Sequence, residues 1–275
     1  MMSITQEELT EDLRMLGLQA GDSAMMHASL SKLGIIDGGA DTVVDAVLGA
    51  MGPDGTLLTP AFTAGLWNDA LTMPDCREQC PQTFCPSQHP SHEGAIPNAA
   101  LARPGRLRSC HPTHSWVGNG PRSEALLQGH RDSPTFCGTG NPFEALVELE
   151  GCLLTLGVGV DRITLWHYFE DVWQLPYLGE LEPSARHVSH CTKGRRIQYE
   201  FPELMQEVIR AGGLIHEGPV GRGQGGLIRA RVFRDFLATI LTDDPYCLVV
   251  RPLNRTRKTL ARDAMPTAHR SPPAR

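Results

Sequence analysis

The feature that most constrains the fold is an alternation of short apolar runs and amphipathic segments in the first part of the chain. Residues 23–27 and 56–60 form apolar runs with the length of buried strands. Between them, residues 41–51 carry apolar side chains at helical spacing. Strand, helix and strand in this order are typical of parallel strands covered by helices, so we predict an α/β fold.

The same pattern returns later in the chain. Residues 153–156 are typical of a central strand, which leads through Gly157-Val-Gly159 into a helix over 164–173. We also predict a helix over 3–16, a helix over 227–241 and a last strand over 246–250. At 275 residues the chain is long enough for one large domain, which we place at 1–251.

Two segments fall outside this pattern. Residues 66–98 are rich in Cys, His and Pro, and loops of that length in compact domains are usually functional or disordered. Residues 252–275 form a basic tail, which we predict to be disordered.

Charge is distributed unevenly between the body and the tail. The net charge is −6, but residues 251–275 carry seven basic residues and one acidic residue, which leaves −12 on the rest. An acidic body favours cationic small molecules and disfavours nucleic acid or an anionic membrane as partners. There is no apolar run of the roughly 18 residues that a membrane helix needs, and acidic residues occupy the place of a signal peptide. We therefore expect a cytoplasmic protein.

The strongest catalytic candidate is the pair His167 and Glu170. If Thr164 caps the helix, His167 lies in its first turn and Glu170 follows on the same face. A carboxylate beside an imidazole holds one tautomer, and the positive helix end favours the neutral, basic ring. This arrangement suits a general base, although a weak surface pair explains the spacing equally well.

Two glycine-containing loops are candidates for binding an anion. Residues 27–34 combine small side chains with Lys32, and residues 221–226 precede the predicted helix over 227–241. The loop over 27–34 lacks the spacing of a P-loop, and Gly157-Val-Gly159 lacks the third glycine of a dinucleotide fingerprint. An ordinary turn remains the alternative for 27–34, and a flexible helix entry remains the alternative for 221–226.

Cysteine and histidine residues raise the question of a metal. Cys76, Cys80 and Cys85 precede His89 and His92, and a further histidine pair follows at 111 and 114. Zinc needs about four N or S ligands, and pairs closer in sequence than these would be stronger evidence. We expect reduced thiols and no required metal, with structural zinc in the 76–85 loop as a disfavoured alternative.

Taken together, the chain resembles the aminoglycoside 3-N-acetyltransferase family of antibiotic N-acetyltransferases. The resemblance rests on segments that follow one another in order from about residue 4 to residue 250: 4–9, 21–23, 26–34 (Met-His-Ala-Ser-Leu-Ser-Lys-Leu-Gly), 38–40, 52–57, 59–63, 94–97, 108–112 with Ser115, 156–159 with Thr164, His167 and Glu170, 218–221, and 244–245.

The resemblance implies a mixed central sheet flanked by helices, of the type found in this family and distinct from the common acetyltransferase fold with a Gly-rich loop. It implies acetyl-coenzyme A as co-substrate and direct transfer to the 3-amino group of a deoxystreptamine ring. His167 would be the general base and Glu170 would orient it. The residues implied to bind the co-substrate or line its cleft are Ser29, Leu30, Ser31, Lys32, Leu33, Thr63 and Ser115.

Segment 66–92 departs from the family pattern, which leaves the acceptor amine open. One alternative is an acetyltransferase of this fold that acts on a different, biosynthetic amine. More distant alternatives are a zinc-dependent hydrolase that uses His89, His92, His111 and His114, and a non-catalytic module that binds cations. We expect a monomer or homodimer.

Overall fold

A computed structural model of the chain describes residues 3–63, 89–109, 111, 114–132, 137–176, 209–210 and 213–246. These residues form seven strands: β1 (Ser23–Ala28), β2 (Thr56–Pro60), β3 (Leu107–Arg108), β4 (Trp116–Asn119), β5 (Cys152–Leu156), β6 (His216–Val220) and β7 (Gly223–Arg229). Seven α-helices accompany them: α1 (Gln6–Met15), α2 (Ala40–Met51), α3 (Ala95–Ala102), α4 (Ser123–Leu127), α5 (Pro142–Glu148), α6 (Leu165–Trp173) and α7 (Ala230–Asp243).

The described strands form a single sheet in the order β3-β4-β2-β1-β5-β7-β6. Its three central strands β2, β1 and β5 are parallel, and the strands outside them pair antiparallel. The predicted mixed sheet flanked by helices is thereby confirmed. Because the central strands run the same way, the ends of β1, β2 and β5 meet at one edge of the sheet.

Both faces of the central strands are buried, which explains why these strands are apolar runs without alternation. On one face, Met26 and Leu154 pack with Leu9 of α1 and Val47 of α2. On the other face a second apolar cluster unites side chains from β1, β5 and helices α4 to α7; it includes Met25, Leu126, Phe143, Leu153, Phe169 and Phe233. The sheet is therefore the middle of three layers.

Side-chain hydrogen bonds define the beginning of α1. Thr5 accepts a hydrogen bond from the Glu8 backbone N–H, and the Glu8 carboxylate accepts one from the Thr5 N–H. This capping box pairs two donors that the helix itself leaves unpaired.

The predicted helix over 227–241 is wrong at its beginning. Residues 227–229 belong to β7, and α7 begins at Ala230. The apolar pair Leu227 and Ile228 fits a buried strand as well as a helix face, so periodicity alone does not separate them. The glycine-rich residues 221–226 are consequently a hairpin turn and a strand, rather than a helix entry.

Several other predictions concern residues that lie partly or wholly outside the described part of the chain. The predicted loop over 66–98 includes the first turn of α3, but residues 64–88 lie outside the described residues. So do residues 247–250 of the predicted last strand and the tail over 252–275. Within the described residues, no helix has both the length and the apolar character needed to cross a membrane.

Candidate active site

A cleft of about 490 Å³ opens where the ends of β1 and β2 meet the turn after β5. His27, Ser29, Lys32 and Thr59 line it from the first two strands and the loop after β1. The turn after β5, the segment around Glu93 and the start of α3 complete the lining with Gly157, Val158, Gly159, Asp161, Arg162, Ile96 and Pro97. Sites at this edge of a parallel sheet are where α/β proteins usually bind ligands.

The predicted loop after β1 lies at the rim of this cleft. The Ser29 N–H donates to the carbonyl of Leu156 at 2.9 Å, which ties the loop to the end of β5. Residues Leu30–Lys32 then form one 3-10 turn. Ser31 and Lys32 are exposed, and the hydroxyls of Ser29 and Ser31 lie 3.3 Å apart. Small hydroxyl side chains and one cation thus face solvent beside the cleft, a composition suited to an anionic ligand.

Leu33 and Leu30 occupy more enclosed positions in the same loop. The Leu33 side chain is fully buried in the apolar cluster that contains Met26, and Leu30 packs against that cluster. The Leu33 backbone groups are also occupied, since its N–H donates to Leu30 and its carbonyl accepts from the Arg222 N–H. Among the predicted binding residues of this loop, Ser29, Ser31 and Lys32 therefore have the accessible side chains.

Thr63 and Ser115 are buried beside the end of β2, and neither is among the described residues that line the cleft. The Ser115 hydroxyl donates to the Ala61 carbonyl at 2.9 Å and accepts from Arg108 Nε at the same distance. Arg108 also donates to the carbonyls of Ala61 and His89. Arg108 is the last residue of β3, and it therefore links the loop after β2 to Ser115, which immediately precedes β4.

His167 lies in the first turn of α6, as predicted, and is half-buried. Its backbone N–H donates to the Thr164 carbonyl at 3.0 Å. Glu170 lies one turn further along α6, and its side chain lies outside the described part of the structure. The helix therefore places the two residues at the predicted spacing on one helical face.

Three more histidines lie near this helix. The rings of His111 and His130 stack with centroids 5.0 Å apart, and His111 meets His114 edge to face at 5.9 Å. Burial lowers the pKa of His111 to about 4. Burial also lowers the pKa of His114 well below its ordinary value, and the charges of His111, His167 and His130 lower it further. The rings of His111 and His114 are therefore neutral at pH 7, and together with His130 they form a cluster of imidazoles near His167.

The charged side chains in the cleft have both signs. Asp161 and Arg162 form an ion pair at 3.3 Å, and Lys32 and Glu93 lie elsewhere on the wall. Burial raises the pKa of Glu93, while His92 and Arg162 act in the opposite direction. Glu93 is exposed on the wall of the cleft, so its carboxyl group is accessible to a cationic group that enters.

A second cleft of about 330 Å³ lies on the other side of the turn after β5 and shares Lys32 and Gly157 with the first. Its walls include the glycine-rich start of β7 and an ion pair in which Arg210 donates to both carboxylate oxygens of Glu217 at 2.7 and 2.8 Å. Two adjoining clefts give the site room for two reactants.

In the described part of the chain, no group of three or more His, Cys, Asp or Glu side chains is arranged to hold a metal ion. His89, His92, His111 and His114 therefore do not form a zinc site among these residues. Cys76, Cys80 and Cys85 lie outside them.

His27 was predicted only as the first residue of the candidate loop over 27–34, and Glu93, Asp161 and Arg162 were not predicted to belong to a site. A usable signal exists only for His27, which is a polar residue near the end of an otherwise apolar strand. The other three lie in short turns whose position relative to the cleft depends on the sheet.

Residues 25–242 of the chain match the family model described as aminoglycoside 3-N-acetyltransferase. Aminoglycoside N(3)-acetyltransferase VII of Streptomyces paromomycinus is 30% identical over 267 residues, which cover 85% of this chain and 90% of that protein. Aminoglycoside N(3)-acetyltransferase III of a Salmonella species is 36% identical over 178 residues. That match covers 62% of each protein, so it spans about three fifths of the relative's length.

Solved structures give a similar result. The crystal structure of aminoglycoside acetyltransferase AAC(3)-Xa superposes with a TM-score of 0.70 at 29% identity, covering 88% of this chain and 93% of that one. A structure described as AAC-IIIb binary with CoASH superposes with a TM-score of 0.66 at 27% identity, covering 87% and 97%.

Proposed function

Because the chain belongs to the aminoglycoside 3-N-acetyltransferase family, we propose that it is an acetyl-coenzyme A-dependent N-acetyltransferase acting on an aminoglycoside. The amine acetylated is the 3-amino group of the deoxystreptamine ring. The observation that carries the proposal is a cleft at the carboxyl ends of the parallel strands, next to the start of the helix that bears His167. A cytoplasmic location accords with the use of acetyl-coenzyme A.

The donor is held by the loop after β1. Lys32 lines both clefts and Ser29 lines the larger one, while the exposed Ser31 lies beside them in the same loop. Their hydroxyl groups and positive charge suit the pantetheine and phosphates of coenzyme A. Leu30 and Leu33 hold this loop on the apolar core. Thr63 and Ser115 act from the layer behind the cleft, where Ser115 fixes the loop after β2.

His167 acts as the general base. It takes a proton from the attacking amine while the amine nitrogen bonds to the thioester carbonyl carbon, and Glu170 orients the imidazole. The tetrahedral intermediate formed by this attack then collapses: its carbon–sulfur bond breaks, and the sulfur leaves as a thiolate that takes up a proton. The products are an acetamide and the free thiol of coenzyme A.

Acceptor binding relies on carboxylates. Glu93 and Asp161 lie on the wall of the cleft, where they attract the ammonium groups of a polycationic substrate. The charge of −12 on residues 1–250 adds a long-range attraction of the same sign.

The proposal is tested by thiol release from acetyl-coenzyme A across a panel of aminoglycosides. We expect release that depends on the acceptor and falls by about 10² to 10⁴ in His167→Ala, with acetyl-coenzyme A binding largely unchanged. The matched control is His216→Ala, because His216 lies at the start of β6 and bonds to the Leu16 carbonyl.

Release without any dependence on His167 would contradict its role as base. If acetyl-coenzyme A binds but no aminoglycoside supports release, the acceptor class is wrong. A panel of other biosynthetic amines would then test the alternative acceptor within the same fold.

A further inference from the structure

His27 connects the end of a strand to the start of a helix. It is the second-last residue of β1, pairs with Thr155 of β5, and lines the 490 Å³ cleft with only 8% of its surface exposed. Its Nε2 lies 2.7 Å from the Thr164 hydroxyl and accepts from the Thr164 backbone N–H at 3.4 Å. Thr164 immediately precedes α6, so one imidazole contacts both polar groups at the helix start.

The contact supplies a hydrogen-bond acceptor at the start of a helix, where backbone N–H groups lack partners. The first backbone N–H groups of a helix have no partner within it, and a side chain of the same segment usually pairs them. Here the acceptor comes from a strand 137 residues earlier in the chain. Since the Thr164 carbonyl accepts the His167 N–H, a fixed Thr164 also fixes the backbone of His167.

The hydrogen bonds define the state of the ring. Burial lowers the pKa of His27 to about 4, so the ring is neutral at pH 7. The Thr164 N–H contacts Nε2 at 3.4 Å, and Nε2 accepts this bond only in the tautomer protonated at Nδ1. The 2.7 Å contact with the Thr164 hydroxyl fits either tautomer, so the assignment of the proton to Nδ1 rests on the N–H contact. Nδ1 is buried and has no hydrogen-bond partner among the described residues. An unpaired buried donor costs stability, and such a cost is more often found where a residue serves a site than where it only packs.

The Trp116 side chain restricts the orientation of the His27 ring. It meets His27 edge to face, with centroids 5.7 Å apart and planes at 75°. The strand, the aromatic contact and the bonds to Thr164 therefore leave the imidazole little freedom to turn.

We propose that His27 is a positioning residue of the acetyl-transfer site, which fixes Thr164 through Nε2 and thereby sets the first turn of α6 from which His167 projects. The inference rests on the proposed role of His167 as base. His27 acts through Thr164 and takes no proton from the substrate.

Two matched pairs of variants test this role. His27→Leu removes the acceptor, whereas His27→Gln returns an amide oxygen close to the position of Nε2; Thr164→Val removes the hydroxyl and Thr164→Ser keeps it. A misplacement of about 1 Å can cost about 10² in rate, so we expect kcat to fall about tenfold to a hundredfold in His27→Leu and Thr164→Val. We expect KM for both substrates to stay within about threefold and the Gln and Ser variants to keep most of kcat.

The double variant His27→Leu/Thr164→Val should be no slower than the slower single variant, because His27→Leu already removes the hydroxyl contact that Thr164→Val removes. The inference would be overturned if the losses of kcat in the two single variants multiplied in the double variant. It would also be overturned if kcat were unchanged in His27→Leu or Thr164→Val, or if the only effect were on KM. If His27→Leu fails to fold, the Thr164 pair alone decides, since Thr164 is only partly buried.

A second readout does not depend on activity. Nitrogen-15 NMR of the histidine rings in the His167→Ala protein should show His27 with a protonated Nδ1 and a bare Nε2, and a protonated Nε2 at neutral pH would overturn the inference. Failure of acetyl transfer with every amine would defeat the proposed function and leave this measurement valid. Full activity in His27→Leu beside an inactive His167→Ala would defeat the inference alone.

Discussion

At the scale of single residues, close packing requires a glycine at the position that follows β5. Gly157 has φ +67°, and a Cβ there would lie 2.6 Å from the Cβ of Lys32 and 3.0 Å from the Ser29 carbonyl oxygen. The position therefore demands both a left-handed backbone and an absent side chain. Gly157 explains how the loops after β1 and β5 can approach closely enough to share a cleft.

We expect Gly157→Ala to destabilise the protein more than Gly21→Ala. Gly21 has φ +79° with nothing within 4 Å of an added Cβ, so its substitution costs only the left-handed conformation, about 1 kcal/mol. Gly157→Ala adds a steric clash of about 1 to 3 kcal/mol and should raise KM for acetyl-coenzyme A. Urea unfolding of both variants measures the difference, and equal losses would contradict the packing argument.

At the scale of elements, side-chain hydrogen bonds help to hold α6 against neighbouring elements. His27 contacts its start, and the Tyr168 hydroxyl donates to Glu144 Oε1 of α5 at 2.9 Å. Burial and the bond to Glu144 raise the pKa of Tyr168, so the phenol stays a donor throughout the working range. Glu144 is itself fixed, because its other oxygen accepts the Gly140 N–H at 2.8 Å. The helix that carries the proposed base is therefore rigidly placed.

We expect Tyr168→Phe to lower the free energy of unfolding by about 1 to 2 kcal/mol, since it removes a hydrogen bond to a partly buried carboxylate. Denaturant unfolding of Tyr168→Phe, Glu144→Ala and the double variant measures the coupling between the two side chains. Additive losses would mean that the contact contributes nothing to stability.

The elements that were predicted well are those with a strong local pattern. The runs that became β1, β2 and β5 were located within one residue because strands buried on both faces are uniformly apolar. The other four strands were not predicted: β3 and β4 have only two and four residues, β6 is mostly exposed and polar, and the apolar end of β7 was assigned to a helix. Such strands exist because a neighbouring strand supplies hydrogen bonds, and the local sequence does not contain that information.

At the scale of the whole molecule, buried neutral histidines couple stability to pH. His27 and His111 have folded-state pKa values of about 4, and burial lowers the pKa of His114 as well. In the unfolded chain the same rings titrate near 6.5. Between about pH 6.5 and 4 the unfolded state binds more protons than the folded state, so stability falls as the pH falls.

We expect the free energy of unfolding to decrease by up to about 1.4 kcal/mol per pH unit for each of these histidines below about pH 6. Urea titrations between pH 8 and 4.5 measure the slope, and His111→Gln should reduce it by about one histidine's share. A stability that stays level over this range would show that the three rings are already charged, or exposed, in the folded protein.

The sequence by itself determined the family, the α/β class and the central strands, since these follow from ordered motifs and from apolar runs that local physics can interpret. It also placed His167 in the first turn of a helix with Glu170 one turn on. Only the tertiary structure decided that Leu33 and Ser115 are buried and that His27 reaches Thr164. Those facts depend on strand order and register, which join residues far apart in the chain through backbone pairing that no local pattern encodes.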